Sequence, residues 1–232
     1  MLVLALDTST PLVTAGVVRL TAEPAGPAAA LLAEHSVDNP FAHAERLMPL
    51  VRAALTEAGA GLPDLDAVVV GLGPGPFTGL RVGIATAAAL GDGLDIAVHG
   101  VPSHDGTAAA ARAAGWSGGG LLVVSDARRR EVYASAFDAS GVRTGGPAVL
   151  APAAVTGWLA ERGAVTGVTG AGAALVDLDL PVVPTPTGVT AGLVAVAAAD
   201  LLAGATPGPL TPLYLRRPDA TEPGLRKSVL GR

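Results

Sequence analysis

Four groups of residues in this chain have the types and spacing to do chemistry. The first is Gly71-Leu72-Gly73-Pro74-Gly75-Pro76, which links the apolar run Val68–Val70 to a helical pattern. A glycine turn that feeds a helix N-terminus can present backbone N–H groups to an anion, and the same turn can serve packing alone. It has no Gly-Lys-[Ser/Thr] ending, and the third position after Gly73 and Gly75 is Thr78, so neither the Walker nor the dinucleotide pattern is met. The second group is Asp7-Thr8-Ser9, where the first apolar run stops. An aspartate there can handle metal or phosphate, while Asp and Ser equally cap a turn. Asp7, Thr8, Ser9, Gly73, Gly75 and Thr78 together form a candidate nucleotide site, either vestigial or shared with a partner chain. The third group is Arg128-Arg129-Arg130, either an RNA backbone contact or a solvated hairpin tip with Asp126 and Glu131 as counter-charges. The fourth is the set of histidines, His35, His43, His99 and His104. No two lie at i and i+4, and His43 is followed at that offset by Leu47, so neither His-x-x-x-His nor His-Glu-x-x-His is present and no metal site is expected. A Gly-x-Ser-x-Gly nucleophile elbow is also missing.

The elements that must position these groups follow from apolar periodicity. Leu2–Leu6 and Val13–Leu20 read as a hairpin, Thr21–Pro27 as a loop and Ala28–Val37 as a third strand. Ala42–Ala58 has a helical stripe of Leu47, Leu50, Val51, Ala54, Leu55 and Ala58, interrupted by Pro49. Val68–Leu90 reads as strand, turn and helix, with Thr78 as the N-cap. Ile96–Val98 is a short strand, and His104–Ala114 a helix capped by Ser103. Leu121–Ser125 and Glu131–Phe137 pair as strands across Asp126–Arg130. Pro152–Arg162 reads as a helix, Val165–Thr169 as a strand, Pro181–Pro186 as extended chain, Thr190–Leu202 as a helix and Leu213–Leu215 as a last strand. Mixed strands and helices with parallel crossovers predict an α/β architecture. The change near Gly100–Ser103 divides it into 1–102 plus 190–216 and a smaller 103–189, with 217–232 as a flexible tail.

The helix after the glycine turn carries Gly79, Gly83, Ala87 and Gly91 four apart, hence on one stripe. Glycine within a helix costs up to about 1 kcal/mol relative to alanine, so such a stripe implies close approach of another backbone. Spacing alone leaves open whether that backbone belongs to this chain or to a second one.

Composition narrows the function classes. Half of the 232 residues are hydrophobic, enough for a core, and the formal charge is −5. An acidic balance argues against a protein that wraps nucleic acid by itself, though not against RNA contact within a complex. The absence of cysteine rules out disulfides, thiolate nucleophiles and Cys-based metal sites and is compatible with a reducing cytoplasm. The first apolar run is too short for a signal peptide, and no stretch suggests a membrane span. A cytoplasmic location is expected.

Read together, LALDTST at the start, HAERLMPLV at 43–51, GLGPGPFTGLRVGIATAAAL at 71–90, SDARRREVYASAF at 125–137 and PLYLRRPDA at 212–220 resemble the TsaB family, also called YeaZ, over nearly the whole chain. The resemblance implies a two-domain actin/Hsp70/sugar-kinase-like (ribonuclease H-like) fold with mixed sheets flanked by helices. It implies an accessory subunit, not a catalyst, in the bacterial complex that transfers a threonylcarbamoyl group to the adenosine next to the anticodon. The implied partners are TsaD, a paralogue that carries the metal, and TsaE, a small ATPase, with transfer RNA as substrate of the complex. The segment matching the paralogue's metal pair keeps His43 and has Leu47 as its second position. The family's contact with its paralogue, or with a second copy of itself, implies an interface on the first two helices, with His43, Leu47, Leu50, Val51, Ala54, Gly79, Leu80, Gly83 and Ala87 as candidate residues. No cofactor is assigned to this chain, and ATP or ADP is expected only at the interface of the complex. The competing reading is a small-molecule kinase or ATPase of the same fold.

Overall fold

The computed structural model describes residues 1–38, 43–184 and 187–216, and only the backbone of His43 and Ala44. The tail assigned to 217–232 and the helix start at Ala42 lie outside the described residues.

Two mixed sheets organise the chain. The first has the order β3-β2-β1-β4-β5, formed by β1 (Leu2–Asp7), β2 (Leu12–Glu23), β3 (Gly26–Asp38), β4 (Ala67–Gly71) and β5 (Ala97–Val101). Its first three strands are an antiparallel meander, and β4 and β5 join in parallel. The second has the order β8-β7-β6-β9, from β6 (Gly120–Asp126), β7 (Val132–Phe137), β8 (Arg143–Leu150) and β9 (Val165–Thr169). Here too three antiparallel strands are joined by a parallel fourth. The second sheet thus repeats the first four positions of the first, in the ribonuclease H-like pattern.

Strand alternation explains the layers. Leu4, Leu6, Val68 and Val70 face α1 (His43–Glu57) and α2 (Phe77–Leu94). Val3, Ala5, Ala67 and Val69 face the opposite way, onto Leu193, Val194 and Ala197 of α5 (Val189–Leu202). The central strands are buried on both faces and read as continuous apolar runs for that reason. Helix α5 packs on α3 (Ser103–Ala113), whose Ala108 and Ala111 meet Leu121, Val123 and Phe137 of the second sheet. Val155 of the short α4 (Val155–Leu159) covers the far side of that sheet. Two helices from different parts of the chain therefore form the layer between the sheets.

Several local expectations are corrected. Thr21–Pro27 is not a loop: β2 and β3 pair out to Glu23↔Gly26. Strand β8 had no strand signal because Gly145, Gly146 and Pro147 interrupt it; it lies at the sheet edge, where proline is tolerated, and its register shifts there. Helix α2 starts at Phe77 with Pro76 as its N-cap, so Thr78 is an exposed residue of the first turn. Ser103 is the first residue of α3, not its cap. Leu213–Leu215 forms no strand, although Leu213 N–H donates to the Leu72 carbonyl. Pro152–Arg162 is a 3-10 turn followed by five residues of helix. Among the described residues no helix is long and apolar enough to cross a membrane.

Candidate functional site

The motif residues converge on the junction between the sheets, in two places of different character. The first is a buried polar seam. Asp7 ends β1, is 5% exposed, and accepts a hydrogen bond from Ser9 N–H at Oδ1 (2.7 Å). Its Oδ2 is buried without a hydrogen-bond partner. Burial raises the Asp7 carboxyl above its ordinary value, against the lowering effect of its contacts with Ser9 and Ser103. Thr8 donates to the carbonyl of Gly79 in the first turn of α2 (2.8 Å). The glycine turn closes over this seam. Gly73 has φ of +95° and exchanges hydrogen bonds with Ser103: its N–H donates to Ser103 Oγ and its carbonyl accepts from Ser103 N–H. A Cβ at Gly75 would collide with the backbone of Ser9.

Behind the seam lies His104, 4% exposed, which the sequence pattern marked only as a histidine without metal-ligand spacing. Its Nδ1 meets Ser135 Oγ and its Nε2 meets Ser125 Oγ, both at 2.9 Å. Burial, aided by the charge of Arg143, lowers its pKa to about 3, so the ring is neutral near pH 7 and can donate to one serine while accepting from the other. The cavity lined by Asp7, Ser9, Ser103, His104 and Ser125 measures about 80 Å³. Ligand pockets usually span roughly 300–1,000 Å³, so this space alone is small for a nucleotide; a second cavity of about 260 Å³ shares Thr10, Leu12, Ser125 and Ala171 with it. The candidate nucleotide residues are thus brought together, except Thr78, but Leu80 closes on Gly73 and the Ser9 backbone on Gly75, while Ser103 takes up the Gly73 N–H.

The small-residue stripe of α2 is also internal. Gly79, Leu80, Gly83, Ala87 and Gly91 are buried. A Cβ at Gly83 would strike Thr8 Oγ1, and one at Gly91 would strike Val98. On α1, Leu47, Val51 and Ala54 sit in the core beneath the first sheet, with Leu50 half-buried beside them. The glycines are therefore explained by approach to this chain's own sheet. The outward positions of this helix pair include Arg46, Pro49 and Arg52 on α1 and Arg81, Ala85 and Ala89 on α2. The His43 side chain lies outside the described residues.

The second place is open. Gly75, Pro76 and Phe77 of the glycine turn, Asp126, Arg128 and Arg129 of the β6–β7 turn, Tyr133, and Tyr214 and Arg216 of the final segment line a cavity of about 200 Å³. Arg128, Arg129 and Arg130 are exposed and all have left-handed backbones, with φ of 62°, 54° and 61°. Three such non-glycine residues in a row are unusual. Asp126 Oδ1 holds the turn by accepting from Arg128 N–H at 2.6 Å. Phe77 stacks obliquely on Tyr214 (4.8 Å between ring centres), with the Arg81 guanidinium 3.9 Å from the Phe77 ring. Arg81 Nε donates to Tyr214 Oη (3.0 Å), and Arg216 pairs with Glu131. The glycine turn, the Asp-Ala-Arg turn and the Pro-Leu-Tyr-Leu-Arg segment, remote in sequence, meet here. Among the described residues no group of three His, Asp or Glu side chains is placed to hold a metal ion.

A family model described as "TsaD: tRNA N6-adenosine threonylcarbamoyltransferase" matches residues 40–212. The chain belongs to this family. It is 49% identical over 222 residues to an uncharacterized protein of Mycobacterium tuberculosis, covering 94% of this chain and 93% of that one. The tRNA threonylcarbamoyladenosine biosynthesis protein TsaB of Escherichia coli is 38% identical over 97 residues, 40% of each chain. Among solved structures, YeaZ from Pseudomonas aeruginosa aligns with a TM-score of 0.67 and 27% identity, over 92% of this chain and 99% of that one. Within the family the chain is a TsaB/YeaZ homologue, and the two mixed sheets flanked by helices are those expected of it.

Proposed function

We propose that this chain is the accessory, non-catalytic subunit of the complex that transfers a threonylcarbamoyl group to the adenosine next to the anticodon, in transfer RNAs reading codons that begin with A. Its partners are a TsaD-like paralogue bearing the metal and a TsaE-like ATPase. Family membership and the TsaB-named relatives support the pathway. The observation that carries the accessory reading is Leu47. A metal-binding histidine pair on one helix face needs its second ligand four residues after the first. That position, after His43, is a leucine only 1% exposed, packed among Val13, Val51 and Leu55.

The docking surface is the outward face of the α1–α2 pair, with Pro49, Leu50, Arg81, Ala85 and Ala89 in place of the buried glycine stripe. The same face serves a homodimer when the chain is alone. ATP or ADP belongs at the interface of the complex rather than in the 80 Å³ cavity. Depleting the chain in its host and measuring threonylcarbamoyladenosine in bulk transfer RNA by mass spectrometry tests the role. The modified nucleoside is expected to disappear; an unchanged level removes the chain from this reaction.

A further inference from the structure

The open cavity at the sheet junction has a chemistry that the accessory role does not use. Three arginines, Arg128, Arg129 and Arg216, line it together with one carboxylate, Asp126; Glu131 pairs with Arg216, and Arg130 continues the same exposed turn. The rest of this acidic chain must then carry an excess of negative charge. The existing pairings leave donors over. Arg128 approaches Asp126 at 3.6 Å with its side chain 55% exposed, and a guanidinium has five N–H donors. Beside the cations stand Phe77, Tyr133 and Tyr214: Tyr133 is buried, Phe77 lies against both Tyr214 and Arg81, and Tyr214, 37% exposed, is the ring open to a base.

Arginines that can grip a phosphodiester, beside a ring on which a base can stack, are the two components of single-stranded RNA recognition. Size points to a polymer. A space of about 200 Å³ is below the usual range for a whole small-molecule ligand, but it takes a phosphate with the edge of a base while the rest of the strand stays outside. An acidic peptide would use the cations and leave the open aromatic ring without a role. We infer that this cavity holds a phosphate and an unpaired base of the transfer RNA substrate, so that the accessory subunit contributes directly to RNA binding. The inference rests on the proposed function, because an adenosine beside the anticodon lies in a single-stranded loop.

The lobes contribute unequally. The arginine turn belongs to the second sheet, whereas the aromatic pair Phe77–Tyr214 stands on the first, because Leu213 is tied to Leu72. Arg216 spans the two, donating to the Arg128 carbonyl and pairing with Glu131. RNA held here would touch both halves of the chain.

The test uses the chain assembled with its catalytic paralogue and a fluorescent transfer RNA, with affinity followed by anisotropy between 50 and about 200 mM salt. R128Q/R129Q/R130Q is expected to weaken binding at least about tenfold and to lower the log–log salt slope by about 2. Tyr214→Leu, which keeps the apolar bulk, is expected to weaken binding about fivefold or more with no change of slope. Assembly is followed by mass photometry and folding by thermal melting. Wild-type affinity and slope in both variants would overturn the inference. So would loss of assembly with unchanged RNA affinity of the isolated chain, which would assign the cavity to an acidic protein segment. If the wild-type assembly binds RNA through these residues yet modifies none, the cavity stands and the proposed function falls.

Discussion

Asp7 and Asp126 occupy equivalent places, each the last residue of the first strand in its sheet. Each builds the same local turn. Oδ1 accepts the N–H two residues on, from Ser9 at 2.7 Å and from Arg128 at 2.6 Å. Beyond that turn they diverge. The turn after Asp7 is covered by the glycine loop and α2, leaving Asp7 Oδ2 unpartnered. The turn after Asp126 stays exposed and carries three arginines. The divergence shows how the same strand-and-turn arrangement serves two ends: local hydrogen bonding fixes the turn, and what the rest of the chain lays over it decides whether it is buried or offers a surface.

The buried seam can be broken at Thr8. Gly83→Trp forces an indole into Thr8 and the strand beneath it, and is expected to destabilise the fold by more than about 3 kcal/mol in urea denaturation. Ala85→Arg, two residues away on the outward face, is expected to leave the melting curve within about 0.5 kcal/mol and to abolish co-purification with the paralogue. The reverse pattern would restore the glycine stripe as the docking surface.

His104 joins the seam to the second sheet through Ser125, the residue before Asp126. His104→Ala leaves two buried hydroxyls without their partner and is expected to cost about 2–4 kcal/mol at pH 7. A linked acid sensitivity should go with it. The folded ring has its pKa lowered to about 3 from 6.5, so between those values the unfolded chain binds a proton that the folded chain does not. Stability from this group is therefore intact above pH 6.5 and declines toward pH 3, by at most about 1.4 kcal/mol per pH unit. Urea titrations at pH 7 and pH 5 should show a smaller acid-side loss in the variant; an equal loss would place the sensitivity elsewhere.

The smallest effects come from the two aspartates. Burial raises the Asp7 pKa, so the folded chain holds this proton longer than the unfolded chain, and stability falls as pH rises from 3.8 through the folded value. Asp7→Asn is expected to be stabilising at pH 7 and near neutral below pH 3.8, as read by melting temperature. A loss of stability at pH 7 would mean that the ionised carboxylate has a favourable partner. Asp126→Asn, at the exposed turn, is expected to change stability by less than about 1 kcal/mol.

Much of this architecture was visible in the residue pattern, because doubly buried strands such as Val68–Val70 and the stripe of α1 need long apolar signals. The Gly145-Gly146-Pro147 interruption hid β8, since a strand at an edge is held by pairing and not by its own sequence. The candidate site was legible as motifs but not as places. Asp7, Ser9, Gly73 and Gly75 lie close together, yet only tertiary packing reveals how tightly the two glycines are approached. His104 carried no spacing signal, its partners lying 21 and 31 residues away. The open cavity is built from three segments, each visible beforehand as a motif, whose proximity depends on both sheets and so left no signal in the sequence.

Reconstitution of transfer bears most directly on the account. Purified chain and the proposed partners, a TsaD-like paralogue and a TsaE-like ATPase, are incubated separately and together with unmodified transfer RNA and a threonylcarbamoyl-adenylate donor, and threonylcarbamoyladenosine is counted by mass spectrometry. Sustained modification is expected only when the chain and paralogue are both present. Modification by this chain alone, or full turnover without it, would contradict the accessory role.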